Sequence, residues 1–262
     1  MNTSLKNKTA LVCGSTQGIG LAIARELALL GAQCILLARN ETRLQAVVKE
    51  LDRSAGQQHF YYVADFSVKE EVHRVIEEVT AKHTIQILIN NTGGPKPGAI
   101  TEAGEEEFEN AFQQHVINNQ VLTKAVVPAM KESGYGRIVN IISTSVKIPI
   151  NNLGVSNTTR AAVAAWAKTM SNELGAFNIT VNNILPGYTD TQRLRSLMAV
   201  NSKKRNISEE ELSSQMQAAI PMKRFGEASE IASVAAFLAS PAASYVNGVS
   251  IPVDGGSTGS LT

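Results

Sequence analysis

The chain has 262 residues, between one and two domains at ~150 residues each. Hydrophobic residues make up 44% and charged residues 18%, below the ~25% charged of an ordinary soluble chain, which excludes a disordered, charge-extended polypeptide. Lys plus Arg number 24 against 23 Asp plus Glu, a formal charge of +1, so neither nucleic acid nor a membrane surface is an expected partner.

Short aliphatic runs alternate with longer segments of helical period. The runs are Ala10–Cys13, Cys34–Leu37, Tyr61–Val63, Ile85–Ile89, Ile138–Ile142, Ile179–Leu185 and Val249–Val253. Continuous apolar strands of this kind are buried on both faces, which predicts an α/β fold with a parallel sheet and helices on each side. Gly31 reads as the residue that stops the first helix, and Gly175 as the stop for the helix from about Val155. Ser67-Val68-Lys69-Glu70 spells a capping box for the helix running on to Lys82. The stretch from Thr191 to Pro221 breaks the rhythm. About thirty residues between strand and helix need helices of their own and a task, so 191–221 is expected to be a helical flap over a site.

No apolar run approaches the ~18 residues of a membrane span; the longest, Ala161 to Ala167, belongs to a helix. The N-terminal MNTSLKNKTALVCG reaches only a few apolar residues before a glycine, too few for a secretory core. Cys13 and Cys34 both sit in strand-like runs and read as buried thiols of a reducing compartment. The cytoplasm is the expected location, and no metal ligand set stands out.

Between the first strand and first helix lies Gly14-Ser15-Thr16-Gln17-Gly18-Ile19-Gly20. Glycines at these places let the backbone turn sharply and approach a pyrophosphate, while the helix N-terminus behind them offers free N–H groups and its dipole. The context of strand, loop and helix within a βαβ unit gives the motif its weight. At the end of the second strand, Leu37-Ala38-Arg39-Asn40 has no carboxylate for a ribose 2′-hydroxyl and an arginine instead. A guanidinium suits a 2′-phosphate, with Thr16 as a further contact, so NADP(H) is the expected cofactor; the alternative is a solvated Arg39 at the start of a helix.

These residues resemble the short-chain dehydrogenase/reductase family. The resemblance rests on the glycine loop, Asp65, Asn90-Asn91-Thr92-Gly93, and Gly136-Arg137-Ile138-Val139-Asn140 leading to Ser143. Pro186-Gly187 and Asp254-Gly255-Gly256 extend it over essentially the whole chain. Within that family it looks most like the 3-oxoacyl-acyl-carrier-protein reductase group. The resemblance implies one doubly wound Rossmann domain over 1–262, a seven-stranded parallel sheet and a homotetramer. It implies that Asp65 and the backbone at Phe66 meet the adenine, that Asn91 and Gly93 flank its ribose, and that Pro186, Gly187 and Thr189 hold the nicotinamide end.

Relatives of this kind reduce a carbonyl with a tyrosine as proton donor, a lysine four residues on, a serine that orients the carbonyl, and an asparagine relay. Ser143 matches the serine. The other three positions read Ser156, Arg160 and His115. A tyrosine near pKa 10 needs a shift of about three units, ~4 kcal/mol, to act near neutrality. A serine is a far weaker acid and its oxygen ends roughly 4 Å short of the phenolic position. Arg160 keeps the same helical face and stays charged, so it can hold ribose hydroxyls or an anionic substrate, yet it cannot pass on a proton. His115, Lys147 and Tyr188 are the substitutes to weigh as proton source, each with a plain structural alternative. A carbonyl reductase or alcohol dehydrogenase with a rewired donor stands against a redox-silent cofactor-binding regulator, and against non-redox chemistry on an anion held by Arg160. Loss of a general acid costs about 10²–10⁴ in rate, so slow turnover survives even without a substitute. For substrate, the basic stretch from Arg193 to Arg205 suits an acyl carrier protein or coenzyme A, or is a solvated helix surface; Leu194, Leu197 and Met198 suggest a partly apolar ligand.

Overall fold

The aliphatic runs become seven strands: β1 (Thr9–Cys13), β2 (Gln33–Ala38), β3 (Phe60–Val63), β4 (Ile87–Asn90), β5 (Gly136–Ile141), β6 (Ile179–Pro186) and β7 (Ser250–Val253). In the computed structural model, which describes residues 1–260, they form one sheet in the order β3-β2-β1-β4-β5-β6-β7. Every pairing is parallel. Ile85, expected to open the fourth strand, is buried just outside it.

Nine α-helices cover the sheet among the described residues: α1 (Gly18–Leu29), α2 (Glu41–Glu50), α3 (Lys69–Lys82), α4 (Glu105–Phe112), α5 (Asn118–Glu132), α6 (Gly154–Leu174), α7 (Gln192–Arg205), α8 (Glu209–Ala219) and α9 (Ala228–Ala239). Successive strand residues enter opposite layers because side chains alternate across a strand. Val12, Leu36, Ile89 and Val139 pack with α1 and α9 through Ile23, Leu27, Ile231 and Ala235. Leu11, Ile35, Leu88 and Ile138 pack with α3 and α5 through Val75, Val79, Leu122 and Val126. This is the doubly wound Rossmann architecture. None of the described helices is long and apolar enough to cross a membrane.

Three helix ends test the local reading. Gly31, at φ +93°, closes α1 by sending its N–H and that of Ala32 back to the carbonyls of Ala28 and Leu27, as expected. The capping box at Ser67 does not form. The Ser67 hydroxyl and N–H both turn to Asp65 Oδ1, at 2.7 and 2.8 Å, leaving Val68 at the N-cap without a side-chain bond. An Asp two residues upstream offers a stronger, charged acceptor than the helix N–H offers as a donor. α6 does end at Leu174 with Gly175 at its C-cap, but Gly175 keeps helical angles and opens a short 3₁₀ turn, and Asn178 at φ +58° makes the left-handed exit.

A row of three asparagine amides ending on a serine hydroxyl crosses strands β4 to β7. Asn90 Nδ2 donates to Asn140 Oδ1 at 2.9 Å, Asn140 Nδ2 donates to Asn183 Oδ1 at 2.9 Å, and Asn183 Nδ2 donates to Ser250 Oγ at 3.0 Å. The same residues face one another in strand register. A one-residue slip of any strand would carry its amide to the other face and break the chain of bonds. Asn140→Ala should therefore strand a donor on Asn90 and an acceptor on Asn183, a loss of about 2–5 kcal/mol. Thermal denaturation should show a midpoint lowered by roughly 5–15 °C. A midpoint unchanged within a degree would mean the row contributes nothing to stability.

Candidate functional site

Loops leaving the carboxyl ends of the strands meet over a cavity of about 880 Å³, at the place where the sheet order reverses between β1 and β4. Such a switch point is where open parallel sheets bind ligands. The cavity runs from the glycine loop and Arg39 at one end to Ser143, Ser156, Arg160 and the first turn of α7 at the other.

Gly14, Thr16, Gln17, Gly18 and Ile19 line it. Gly14 and Gly18 take positive φ, +60° and +55°. A Cβ at Gly14 would lie 2.6 Å from the Asn91 carbonyl, and one at Gly20 would collide with the Gly14 carbonyl. Gly20 and Ser15 thus shape the turn from behind the lining. Helix α1 starts without a side-chain cap and without an acidic residue in its first turn. Its free N–H groups and dipole are left for an anion. The Asn91 amide braces the loop by donating to the carbonyls of Cys13 (3.2 Å) and Gly14 (3.3 Å).

Arg39 stands largely in solvent at the end of β2, with Nη1 3.9 Å from Asp65 Oδ2. Asp65 is kept below its ordinary range mainly by the two Ser67 hydrogen bonds. Phe66, Gly93, Pro186, Gly187 and Thr189 join them on the lining. A cation with room around it and an uncapped helix end suit a phosphorylated dinucleotide by charge and by donor type.

At the other end, Ser143 caps a short 3₁₀ turn, its Oγ accepting the Ser145 N–H at 3.1 Å. Ser156 and Arg160 share the cavity face of α6. Arg160 is 7% exposed; Nη1 donates to the Ile141 carbonyl (2.9 Å) and Nη2 to the Thr92 carbonyl (3.4 Å). Burial first, then the neighbouring Arg193 charge, pull its guanidinium down to about 10. It remains a cation at neutral pH.

His115 departs from its expected part as a group titrating near neutrality. It sits in a π-helical turn, Gln113–Ile117, between α4 and α5, buried and off the cavity lining, where its neighbour Gln114 appears instead. Nδ1 shares a 2.6 Å hydrogen bond with Thr92 Oγ1. Burial, with the Arg160 charge second, pushes His115 down to about 2, so the ring is neutral and carries no spare proton at pH 7. Lys147 also lies outside the lining, whereas Tyr188 is on it, its ring edge-on to Phe225 at 6.4 Å.

The stretch expected to be a flap holds two helices, α7 and α8, and the first turn of α7 lines the cavity. Thr191 Oγ1 caps α7, Asn206 at φ +54° ends it, and Ser208 Oγ caps α8. Arg195 pins its start through a two-pronged contact with Asp190 at 3.0 and 3.1 Å. Sequence reasoning overlooked Gln114, Ser257, Thr258 and the lining role of Arg193. For the last three a signal existed: each follows closely on the carboxyl end of a parallel strand, where sites of this architecture gather. Buried Cys13 and Cys34 are both free thiols, raised by burial to about 12 and so inert. Among the described residues, no group of three or more His, Cys, Asp or Glu is placed to hold a metal ion.

Residues 14–258 match the family model described as enoyl-(acyl carrier protein) reductase. The NADPH-dependent reductase BacG of Bacillus subtilis is 32% identical over 259 residues, spanning 98% of this chain and all of that one. The 3-oxoacyl-[acyl-carrier-protein] reductase FabG of Staphylococcus epidermidis is 33% identical over 254 residues, 95% of this chain and 98% of that one. Among solved structures, L-sorbose reductase from Gluconobacter frateurii, complexed with NADPH and L-sorbose, superposes with a TM-score of 0.93 at 30% identity over the full length of both chains. The chain belongs to the short-chain dehydrogenase/reductase family.

The state of His115 has a pH consequence. The unfolded chain binds its proton below about 6.5 while the folded chain does not until about 2. Between those values the unfolded state carries more protons, so stability is full above the upper value and declines on acidification, by at most ~1.4 kcal/mol per pH unit from this group. His115→Gln should flatten the fall in urea-denaturation free energy between roughly pH 6 and pH 4.5. Parallel wild-type and variant profiles would show that the ring is not buried in its neutral form.

Proposed function

We propose that the chain is an NADP(H)-dependent oxidoreductase that interconverts a carbonyl and an alcohol with an atypical proton donor. The observation that carries this reading is the continuity of the cavity, one hollow joining the phosphate-type end at the glycine loop to the hydroxyl-lined end under the flap. The NADPH dependence of BacG and the NADPH complex of L-sorbose reductase support the choice of dinucleotide.

In this reading Gly14, Ser15, Thr16, Gln17, Gly18, Ile19 and Gly20 form the pyrophosphate loop, with Arg39 and Thr16 beside the 2′-phosphate. Asp65 and Phe66 meet the adenine, Asn91 and Gly93 its ribose, and Pro186, Gly187 and Thr189 the nicotinamide end, with Arg160 donating to groups beside it. Bound NADPH supplies the hydride, and NADP⁺ accepts it in the reverse direction. The chain's own contribution is placement and the proton. Ser143 and Ser156 present hydroxyl donors where negative charge develops on the substrate oxygen. Ser156 and Arg160 take the places of the tyrosine and lysine of the family pattern, and neither releases a proton near neutrality. His115 acts as a positioning residue, holding Thr92 and through it the loop against which Arg160 rests. Tyr188 is the only tyrosine on the lining among the described residues and is assigned as the proton source. The resemblance also carries a cytoplasmic homotetramer into this reading; the two free buried thiols suit a reducing compartment.

Two measurements test it. Arg39→Ala should weaken NADPH binding about 10- to 100-fold in fluorescence titration, the worth of one charge-assisted contact, while leaving NADH nearly unchanged. Equal losses for both would remove Arg39 from the 2′-phosphate. With a panel of ketones, Tyr188→Phe should lower kcat by about 10²–10⁴ with KM within a few-fold. A kcat within threefold of wild type would assign the proton to solvent at Ser156. Tight NADPH binding with no stereospecific hydride transfer from wild type would mark the chain as a cofactor-responsive regulator instead.

A further inference from the structure

Two guanidinium groups converge on one point of the cavity without an anion to meet them. Arg160 reaches in from α6 and Arg193 from the first turn of α7. The position a Cβ would take on Gly94 lies 3.5 Å from Arg193 Nη2 and 3.9 Å from Arg160 Nη2. That point is open only because residue 94 has no side chain.

Among the described residues, neither arginine has a carboxylate within ion-pair distance. The ion pairs of the described residues lie elsewhere, at Arg25–Glu50, Arg39–Asp65, Arg74–Glu78, Lys82–Glu78, Arg195–Asp190 and Arg224–Glu230. Arg160 is held by two backbone carbonyls and Arg193 Nη2 by the Pro95 carbonyl at 2.7 Å. Each guanidinium has five N–H donors, so donors remain on both. The one acidic residue on the lining, Asp65, stands at the far end with Arg39. A buried cation placed beside a second cation is costly unless an anion completes the set.

The surroundings narrow the anion. Ser143 and Ser156 stand at the same end of the cavity, and Leu153 and Leu197 give it an apolar wall. Two guanidinium groups that each bring an Nη2 within 4 Å of one point suit a planar, two-oxygen acceptor.

We propose that the substrate is a carboxylate-bearing carbonyl compound with an apolar body, its carboxylate held between Arg160 and Arg193 in the gap beside Gly94. The proposal rests on the oxidoreductase reading above and names the substrate class of that same site. The rival source of the same charge is the cofactor's pyrophosphate, and the experiment separates the two.

Calorimetric titration of the NADP⁺-loaded protein, which has no hydride to give a ketone, uses 2-oxo-4-phenylbutanoate and its carboxamide, which share a carbonyl and a body but differ in charge. The acid should bind at least tenfold more tightly than the amide. Arg193→Gln should abolish that preference, weakening the acid 10- to 100-fold and the amide less than threefold, with NADPH affinity within threefold of wild type. Gly94→Ala keeps both charges and fills the gap, and should likewise erase the preference. Equal binding of acid and amide to wild type overturns the proposal. So does an Arg193→Gln variant that loses NADPH affinity tenfold and keeps the acid preference, which would give the pair to the pyrophosphate. If wild type binds no NADPH, the oxidoreductase reading falls, and the same acid-versus-amide titration on the cofactor-free protein still decides the carboxylate site.

Discussion

The site depends on a register, and the register is held by amides. Four strands contribute loops to the Ser143–Arg160 end of the cavity, and the bonded row Asn90–Asn140–Asn183–Ser250 crosses those same four strands, from the last residue of β4 to the first of β7. Aliphatic packing alone would tolerate a compromise between neighbouring strands, since Ile, Leu and Val make non-directional contacts. Buried amides do not, because each has donors and acceptors whose desolvation must be matched at fixed distances. The loop bearing Gly93 and Gly94, Ser143, Pro186–Thr189 and the turn at Asp254 therefore leave a platform whose edges cannot slide against one another. Where Gly187 passes Asp254, a Cβ would lie 2.6 Å from the Asp254 side chain, so the two outer loops touch backbone to side chain without room for adjustment.

On this platform charge is distributed unevenly. The glycine-loop end has a cation in solvent, Arg39, with Asp65 nearby to moderate it. Among the described residues the opposite end has cations only, one of them buried, and its neutral imidazole adds nothing to offset them. Arg160 and His115 are linked through Thr92, whose hydroxyl meets the ring and whose carbonyl meets the guanidinium. An imidazolium there would sit next to a buried positive charge, and that repulsion adds to burial in keeping the proton off. Burial first, and the neighbouring arginine second, exclude the chemistry that a titrating histidine would have offered.

Much of this was legible in the sequence, and the failures have a common cause. The strands, a parallel sheet with helices on each side and the glycine turn follow from local period and from residues whose conformational demands are their own: Gly14 and Gly18 at positive φ, Gly31 after a helix. Ser67 misled, and Gly175 did so in its geometry though not in its place, because each had a competitor nearby, Asp65 for the hydroxyl and Asn178 for the left-handed turn. His115 in its state and Arg193 in its contacts were beyond local reading, even though the place of Arg193 after a strand end was a signal. The state of the first depends on a helix forty-five residues away, and the task of the second on a loop whose Pro95 carbonyl it meets at a sequence separation of 98.

Ser156 and Arg160 are best understood together. A lysine at 160 would present a compact ammonium on a flexible stem, able to approach a tyrosine's oxygen and ease its ionisation. An arginine fixes its plane through two backbone carbonyls and points its remaining donors outward to the side. With no phenol at 156 there is nothing for an ammonium to activate, and the volume freed by a serine lies along the same helical face as the fork. Replacing one member alone would leave either a tyrosine without its cation or a cation crowded by a ring. In the proposed reading the pair favours anion recognition over proton delivery, and the proton is assigned to Tyr188, which stands on the lining.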